Sequence, residues 1–226
     1  MTGVGARIAL LAQIDEPLVR WDWLGDHVDE MVERTVQHLQ LTAVSVAIGL
    51  VISLALASVI RRWRWTATPI LSLTTLLYTI PSIALFAALL PWLGIGLTVP
   101  TIVLTTYTLV VLTPFLVEAF DAVPAAVVDA ATGLGLTRSQ RLWRVEVPLA
   151  VPTIVGGLRI AVVTVIGLVT VAGLFGLGGF GNLIDDGLTR DFPTLIVVGV
   201  VGSVLLAVVF DVLLVLAGRA LTRWRR

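Results

Sequence analysis

Residues able to do covalent chemistry are scarce in this chain of 226 residues. It has no cysteine, and all its basic residues are arginine, so thiolate metal sites, lysine Schiff bases and a P-loop are excluded. The two histidines, His27 and His38, lie in one amphipathic stretch, and we interpret them as solvated or interfacial rather than as a metal pair. We therefore expect no metal, no cofactor and no catalytic site.

One glycine-rich segment has the spacing of a dinucleotide-binding loop. Gly176, Gly178 and Gly181 fit the pattern Gly-x-Gly-x-x-Gly, with Gly179 between them. Such a loop binds a dinucleotide when it lies in a soluble βαβ unit. Here a segment long enough to span a membrane precedes it. We therefore predict a tight turn that lets two helices approach closely.

Two ionisable residues stand inside strongly apolar segments, where such side chains are usually paired or functional. Arg159 lies about nine residues from the start of its segment, and Asp211 lies about eight residues from the end of its own. If both segments are helices that cross the same layer, a rise of ~1.5 Å per residue places both side chains about 12 Å from the same surface of that layer. We predict that they pair or extend to the same interface. A structural role and a role in translocation are both open.

The composition is that of a membrane protein. The chain is 58% hydrophobic and 13% charged, its mean hydropathy is +1.02, and soluble domains carry about 25% charged residues. A spanning helix needs about 20 apolar residues, and the spacing predicts an all-α protein with five such helices. They are Leu39 to Ile60, Thr68 to Leu90, Val99 to Ala119, Ala150 to Phe175 and Thr194 to Gly218. Pro81 and Pro114 fall inside spans two and three, where prolines are tolerated.

Arginines predict the orientation, because basic residues near span ends stay in the cytoplasm. They cluster after span one, between spans three and four, and after span five, which places the N-terminus outside and the C-terminus inside. Residues 1–38 are then an external segment without a cleavable signal peptide, and an amphipathic helix in it lies on the outer surface. Residues 39–218 form the membrane domain, and residues 219–226 form a basic cytoplasmic tail.

The inner loop, residues 120–149, is too polar to span and too regular for a slack linker. Pro124 can start a helix that Gly133 and Gly135 end. Thr137 and Gln140 then have the spacing of a capping box, so we predict a second short helix from Arg138 to about Glu146, ended by Pro148. A compact structure of this kind can dock a soluble partner.

This loop resembles the Glu-Ala-Ala loop of ABC importer permeases. The family pattern is Glu-Ala-Ala, three residues, Gly, nine residues, Ile, one residue and Leu-Pro. This chain has Asp129-Ala130-Ala131, Gly135, Val145 and Val147-Pro148 at that spacing, with Asp for Glu and Val for Ile and Leu. The resemblance extends from about His38 to Asp211, and is closest to the branch that carries glycine betaine, choline and carnitine. The segments that resemble this branch are 79–96, 145–163 and 173–188.

The resemblance implies partners for the chain. They are two ABC ATPase subunits, a second permease chain (identical or different), an extracytoplasmic substrate-binding protein and the lipid of the cytoplasmic or inner membrane, but no nucleic acid. The implied contacts with the ATPase are Asp129, Ala130, Ala131, Gly135, Leu136, Thr137, Arg138, Gln140, Arg141 and Pro148. The candidates for the translocation path are Tyr78, Pro81, Ser82 and Tyr107. The resemblance also places Gly176, Gly178, Gly179 and Gly181 near the outer gate.

Three other functions are weighed against an osmoprotectant permease. Methionine-type ABC permeases share the length, the five spans and a similar glycine turn, but match less well around residues 81–96. A self-sufficient secondary carrier is expected to have intramembrane carboxylates or inverted repeats, whereas these spans hold almost no acids. An intramembrane enzyme is disfavoured because the spans hold no histidine, cysteine or lysine.

Overall fold

The computed structural model describes residues 17–223, which are helical, with no strand in that range. Its helices are α1 (Trp21–Asp26), α2 (Val28–Arg62), α3 (Ala67–Thr79), α4 (Ser82–Leu93), α5 (Thr98–Asp121), α6 (Ala125–Gly133), α7 (Arg138–Arg141), α8 (Val147–Gly173), α9 (Phe180–Thr189) and α10 (Pro193–Leu221). A 3-10 turn, Arg64–Thr66, precedes α3, and a π-turn, Leu142–Glu146, joins α7 to α8. The all-α prediction is confirmed.

The first span begins earlier than the sequence predicts. Residues 28–38 are not a separate helix on the membrane surface, because they form the first turns of the continuous helix α2. Between Val28 and Gly49 the chain has neither glycine nor proline, so nothing interrupts the helix. Only α1, six residues long, is separate from it. The expected boundary at residue 38 therefore coincides with no break in the helix, and residues 1–16 of the expected external segment lie outside the described residues.

The second span is broken rather than continuous, which corrects the prediction of one helix through Pro81. α3 ends at Thr79, α4 begins at Ser82, and the two axes differ in direction by 90°. Pro81 has no N–H to donate, and its ring restricts Ile80 to the extended conformation that the structure shows, with φ −75° and ψ 120°. By contrast, Pro114 lies within the unbroken helix α5, as predicted.

The broken pair still crosses the bundle once. In the 3-10 turn before α3, Arg64 donates to Asp121, the last residue of α5, over 2.8 Å. After α4, residues 95–97 border a cavity together with Gly176 and Gly178. The described residues therefore contain four long apolar helices and one bent span. We call the two ends of this bundle the arginine-rich end, with Arg61, Arg62, Arg64, Arg138 and Arg141, and the glycine-turn end, with Gly176, Gly178, Gly179 and Gly181.

The main core lies between α2, α5 and α8. Leu104, Val165 and Val169 are fully buried there, and Phe86 of α4 packs against the same cluster. Small residues let the backbones approach, since a Cβ added at Gly49 of α2 would lie 2.3 Å from Thr108 of α5. The outer faces of the spans carry exposed apolar side chains such as Val51, Val204 and Leu213. Such faces suit lipid or another membrane chain.

Candidate functional site

The inner loop folds as two short helices around a glycine turn. Gly135 has a φ of +81°, which glycine adopts without strain, at the turn after α6. The predicted capping box is present: Thr137 N–H donates to Oε1 of Gln140 over 2.9 Å, and Gln140 N–H donates to Oγ1 of Thr137 over 3.3 Å. Both caps satisfy amides that a helix start leaves unpaired.

The candidate ATPase contacts differ in exposure. Those that lie exposed at the arginine-rich end are Asp129, Ala130, Gly135, Thr137, Arg138 and Gln140. Ala131 is buried, and Leu136, Arg141 and Pro148 are half-buried. The loop surface is mixed, because Leu134 and Trp143 are also exposed there, at 80% and 67%.

The second loop helix does not end at Pro148, contrary to the prediction. α7 continues through the π-turn into α8, and the whole segment from Arg138 to Gly173 forms one helical run. A proline inside a helix clashes with the carbonyl four residues earlier, here that of Arg144. We attribute the tolerance of Pro148 to the wider π-turn immediately before it. The loop is consequently joined to span four without a flexible connection.

Glu146 is the one carboxylate at the centre of this region that the sequence analysis did not single out. It is 4% exposed, and it accepts hydrogen bonds from Arg61 at the end of α2 and from Nε of Arg141, the latter over 3.0 Å. Arg141 also donates to Oγ1 of Thr132 in α6 over 3.0 Å. A buried carboxylate is tolerated only when it is paired in this way. Glu146 therefore links the loop to the first span.

The four path candidates meet at the break in span two. Pro81 and Ser82 form the start of α4, while the hydroxyl of Tyr107 in α5 donates to the carbonyl of Ile80. The ring centroids of Tyr78 and Tyr107 lie 6.2 Å apart in an edge-to-face arrangement. Tyr78 is 60% exposed, whereas Tyr107 is 7% exposed. An irregular backbone within a membrane span is tolerated where protein groups satisfy it or where it lines a cavity.

Arg159 and Asp211 form a bidentate pair between α8 and α10. Nε of Arg159 lies 2.8 Å from Oδ1 of Asp211, and Nη2 lies 2.9 Å from Oδ2. Both side chains remain about one third exposed. They lie in an open groove of about 610 Å³ whose other walls include Phe115, Ile160 and Val208. The pair thus joins two spans and also faces an accessible space.

The glycine turn joins α8 to α9 and is held by α2. Gly176, Gly178 and Gly179 have positive φ angles, and a Cβ added at Gly181 would lie 2.1 Å from the carbonyl oxygen of Thr170. The turn connects two helices, so the arrangement is not the strand–loop–helix that a dinucleotide requires. Only glycine fits this combination of conformation and close approach.

His38 holds this turn in place, which corrects its interpretation as a solvated or interfacial residue. It is fully buried. Its Nδ1 accepts the N–H of Phe180 over 3.3 Å, and its Nε2 lies 3.0 Å from the carbonyl of Ile166. Since a ring nitrogen that accepts cannot carry a proton, the proton is on Nε2, which donates to Ile166. His27, in contrast, stacks on Trp23. Residues 17–223 contain no group of three or more metal-ligating side chains.

The chain is similar to known transport proteins over most of its length. Residues 49–226 match the family described as binding-protein-dependent transport system inner membrane component. The Osmoprotectant import permease protein OsmW of Salmonella typhimurium is 38% identical over 84% of this chain and 90% of its own. The Choline transport system permease protein OpuBB of Bacillus subtilis is 30% identical over 85% and 89%.

A solved structure shares the fold. An inward-facing structure of the MetNI methionine ABC transporter matches with a TM-score of 0.67 and 22% identity, over 85% of this chain and 94% of that chain. At this identity the match supports the fold and says nothing of the solute. This chain thus belongs to the binding-protein-dependent transport system inner membrane component family, as a multi-pass inner-membrane permease that works with a separate ATPase and a substrate-binding protein.

Proposed function

We propose that this chain is the permease subunit of an ATP-driven importer of osmoprotectants of the quaternary ammonium class, such as glycine betaine, choline or carnitine. The observation that carries the proposal is the similarity, over most of both chains, to permeases whose names specify osmoprotectant and choline import. The methionine permease alternative is supported only by a likeness of fold.

We propose two permease chains and two ATPases per transporter, with the solute path between the permeases. The support is the exposed apolar surface of α10, including Val204, Val208 and Leu213, which one chain leaves uncovered. Both an identical second chain and a different one are compatible with this exposed surface of α10.

The exposed loop around Gly135 is the proposed ATPase contact. It is ordered by the Thr137–Gln140 capping box. It exposes both polar side chains, such as Arg138 and Gln140, and the apolar side chain of Leu134, which together suit contact with a soluble partner. Movement of the loop is passed to α8 through the continuous helix, and to α2 through the Arg141–Glu146–Arg61 contacts. Closure of the ATPases would then reorient the spans, as alternating access requires.

The break in span two is the proposed part of the path that meets the solute. Discontinuous helices provide binding sites in other transporters. A quaternary ammonium group is attracted to aromatic faces, and Tyr78 offers an exposed ring there, next to Tyr107.

Uptake of labelled glycine betaine by cells that carry the whole system tests the proposal. Uptake is expected to require both the ATPase and the binding protein, and to be inhibited by excess unlabelled choline or carnitine. Uptake that persists without the ATPase would contradict the importer and favour a secondary carrier. Inhibition by methionine, with none by quaternary ammonium solutes, would favour the methionine alternative.

A further inference from the structure

A cavity lined by arginines lies at the arginine-rich end, between the end of α2 and the inner loop. It has a volume of about 340 Å³, and we call it the arginine pocket. Its lining residues are Ser58, Arg61, Arg62, Arg138, Arg141, Leu142 and Glu146. This volume is enough for a small polar group but not for a folded partner.

The charges in the arginine pocket are unbalanced. Four arginines face one carboxylate, which leaves three positive charges. Glu146 is occupied by Arg61 and Arg141. Arg62 and Arg138 form no ion pair within residues 17–223. Guanidinium groups bind phosphate well, because their planar donors match its oxygens.

An apolar strip leads along α2 to this pocket. Val51, Leu54, Ser58 and Arg62 follow each other at steps of three and four residues, so they lie on one face of the helix. Val51 is 68% exposed and Leu54 is 40% exposed. The face therefore passes from exposed apolar side chains to a serine and then to Arg62, which has no ion pair among residues 17–223.

The surroundings place the pocket at the level of the membrane–water boundary. Trp63 and Trp65 lie one and three positions after Arg62 and are 50% and 78% exposed. Tryptophans of this kind are enriched at the headgroup level. Arginine asymmetry predicts this end to be cytoplasmic, where the leaflet is rich in anionic lipid. Basic pockets beside spanning helices on that side bind lipid headgroups.

We propose that the arginine pocket binds the phosphate of an anionic phospholipid, with Arg62 and Arg138 as the free cations and one acyl chain along Val51 and Leu54. An anionic phospholipid fits two independent observations, since its phosphate complements the excess positive charge of the pocket and its acyl chain can cover the exposed apolar strip. A soluble phosphate accounts for the excess positive charge but not for the exposed apolar strip. The bound lipid would lie between α2 and the proposed ATPase-contacting loop.

The test uses the complete transporter, permease and ATPase together, in nanodiscs of phosphatidylcholine containing increasing amounts of phosphatidylglycerol. Native mass spectrometry measures the phosphatidylglycerol retained per permease. Each basic residue near the surface contributes about 1 kcal/mol to binding of anionic lipid, so Arg62→Gln is expected to weaken retention about five-fold. Arg219→Gln is the matched control, because Arg219 is an exposed arginine in the last turn of α10 that lies outside the pocket. A smaller loss of retention in Arg219→Gln than in Arg62→Gln is expected, and an equal loss would assign retention to general surface charge and overturn the proposal.

A second variant covers the case in which Arg62→Gln does not assemble. Ser58→Glu places a carboxylate in the pocket wall and is expected to lower retention at least as much. Equal retention by wild type and both pocket variants would overturn the proposal, as would equal retention of phosphatidylcholine and phosphatidylglycerol by wild type.

Two further experiments distinguish a bound lipid from other negatively charged ligands of the pocket. Glycerol phosphate in solution is expected not to displace the lipid, because it lacks the acyl chain; displacement at low concentration would assign the pocket to a soluble phosphate. If Arg62→Gln releases the ATPase while retention of phosphatidylglycerol is unchanged, the pocket belongs to the ATPase interface and the lipid assignment is wrong.

Discussion

Several polar side chains inside the bundle bond to a different helix. His38 connects α2 to both α8 and the start of α9, and Thr113 of α5 donates to Oγ of Ser53 in α2 over 3.1 Å. Arg159 and Asp211 connect α8 to α10. Apolar contacts alone give helices in lipid little preference for one partner. These residues therefore contribute to specifying which helices lie side by side.

The Arg159–Asp211 pair gives a prediction at the scale of individual residues. Arg159→Ala and Asp211→Ala are each expected to lower the thermal stability of the assembled transporter, because each leaves an unpaired charge between two spans. The double variant should be no less stable than either single variant. Thermal unfolding in detergent measures this cycle, and simply additive losses would show that the two residues act independently.

Tyr78 gives a second prediction. Loss of its ring in Tyr78→Ala is expected to raise KM for a quaternary ammonium solute about five-fold, the effect of about 1 kcal/mol of cation–π attraction. Tyr78→Phe keeps the ring and should keep KM near the wild-type value. Radiolabelled uptake measures both KM values, and an increase in KM for Tyr78→Phe as large as that for Tyr78→Ala would assign the effect to the hydroxyl rather than the ring.

Tyr107 has a different role beside it. Tyr107→Phe removes the hydroxyl that donates to the carbonyl of Ile80. An unsatisfied carbonyl at the break is expected to cost about 1–3 kcal/mol of stability. Thermal unfolding of the variant, compared with Tyr78→Phe as the control, measures the loss, and an unchanged melting temperature would contradict it.

At the scale of helices, the prolines show which structural feature the local sequence does not predict, namely which of them interrupts a span. Pro81, Pro91, Pro114 and Pro152 all lie in apolar segments, yet only Pro81 interrupts its span. The carbonyl that the break leaves free at Ile80 is satisfied by Tyr107, 27 positions later in the chain. Local sequence predicts that a break is permitted there, but the partner that stabilises it depends on tertiary packing.

The glycine turn of the loop gives the prediction for this scale. Gly135 and Gly133 are both exposed, with open space around them, but only Gly135 has a positive φ. Gly135→Ala is expected to cost about 1–2 kcal/mol of local stability, whereas Gly133→Ala lies within helix α6 and should be neutral or stabilising. Gly135→Arg should insert normally and hydrolyse ATP without matched uptake.

The ratio of solute imported to ATP hydrolysed, in proteoliposomes containing the binding protein, measures this coupling. Gly133→Ala provides the control for a conservative change in the same loop. Normal coupling in Gly135→Arg would argue strongly against the proposed ATPase contact.

At the scale of the whole molecule, the chain is suited to a test of orientation because it has no cysteine of its own. Ser139→Cys in the exposed loop is expected to react with a membrane-impermeant maleimide only after the cells are opened. Thr189→Cys, exposed at the end of α9, should react in intact spheroplasts. The opposite pattern would reverse the predicted orientation.

Composition, the spacing of apolar residues and helix-capping residues predict the general fold well. The features that they do not predict are side chains buried by polar contacts with distant parts of the chain. Five apolar segments and the Thr137–Gln140 capping box are visible in the sequence, since both depend on neighbours along the chain. The burial of His38 and Glu146 is not visible, because their partners lie 128 and 85 positions away. A polar residue at the edge of an apolar segment gives no indication of whether it faces water or another span.

The uninterrupted helical run from Arg138 to Gly173 has a consequence for the solute gradient. Because every residue of the run is helical, a tilt that begins at the loop is expected to displace the glycine-turn end at the same time. A rigid helix that moves one end of the path outward moves the other end inward, so the two openings of the path are mechanically opposed. For the proposed importer, opening the path on one side would then close it on the other, so accumulated solute would be retained.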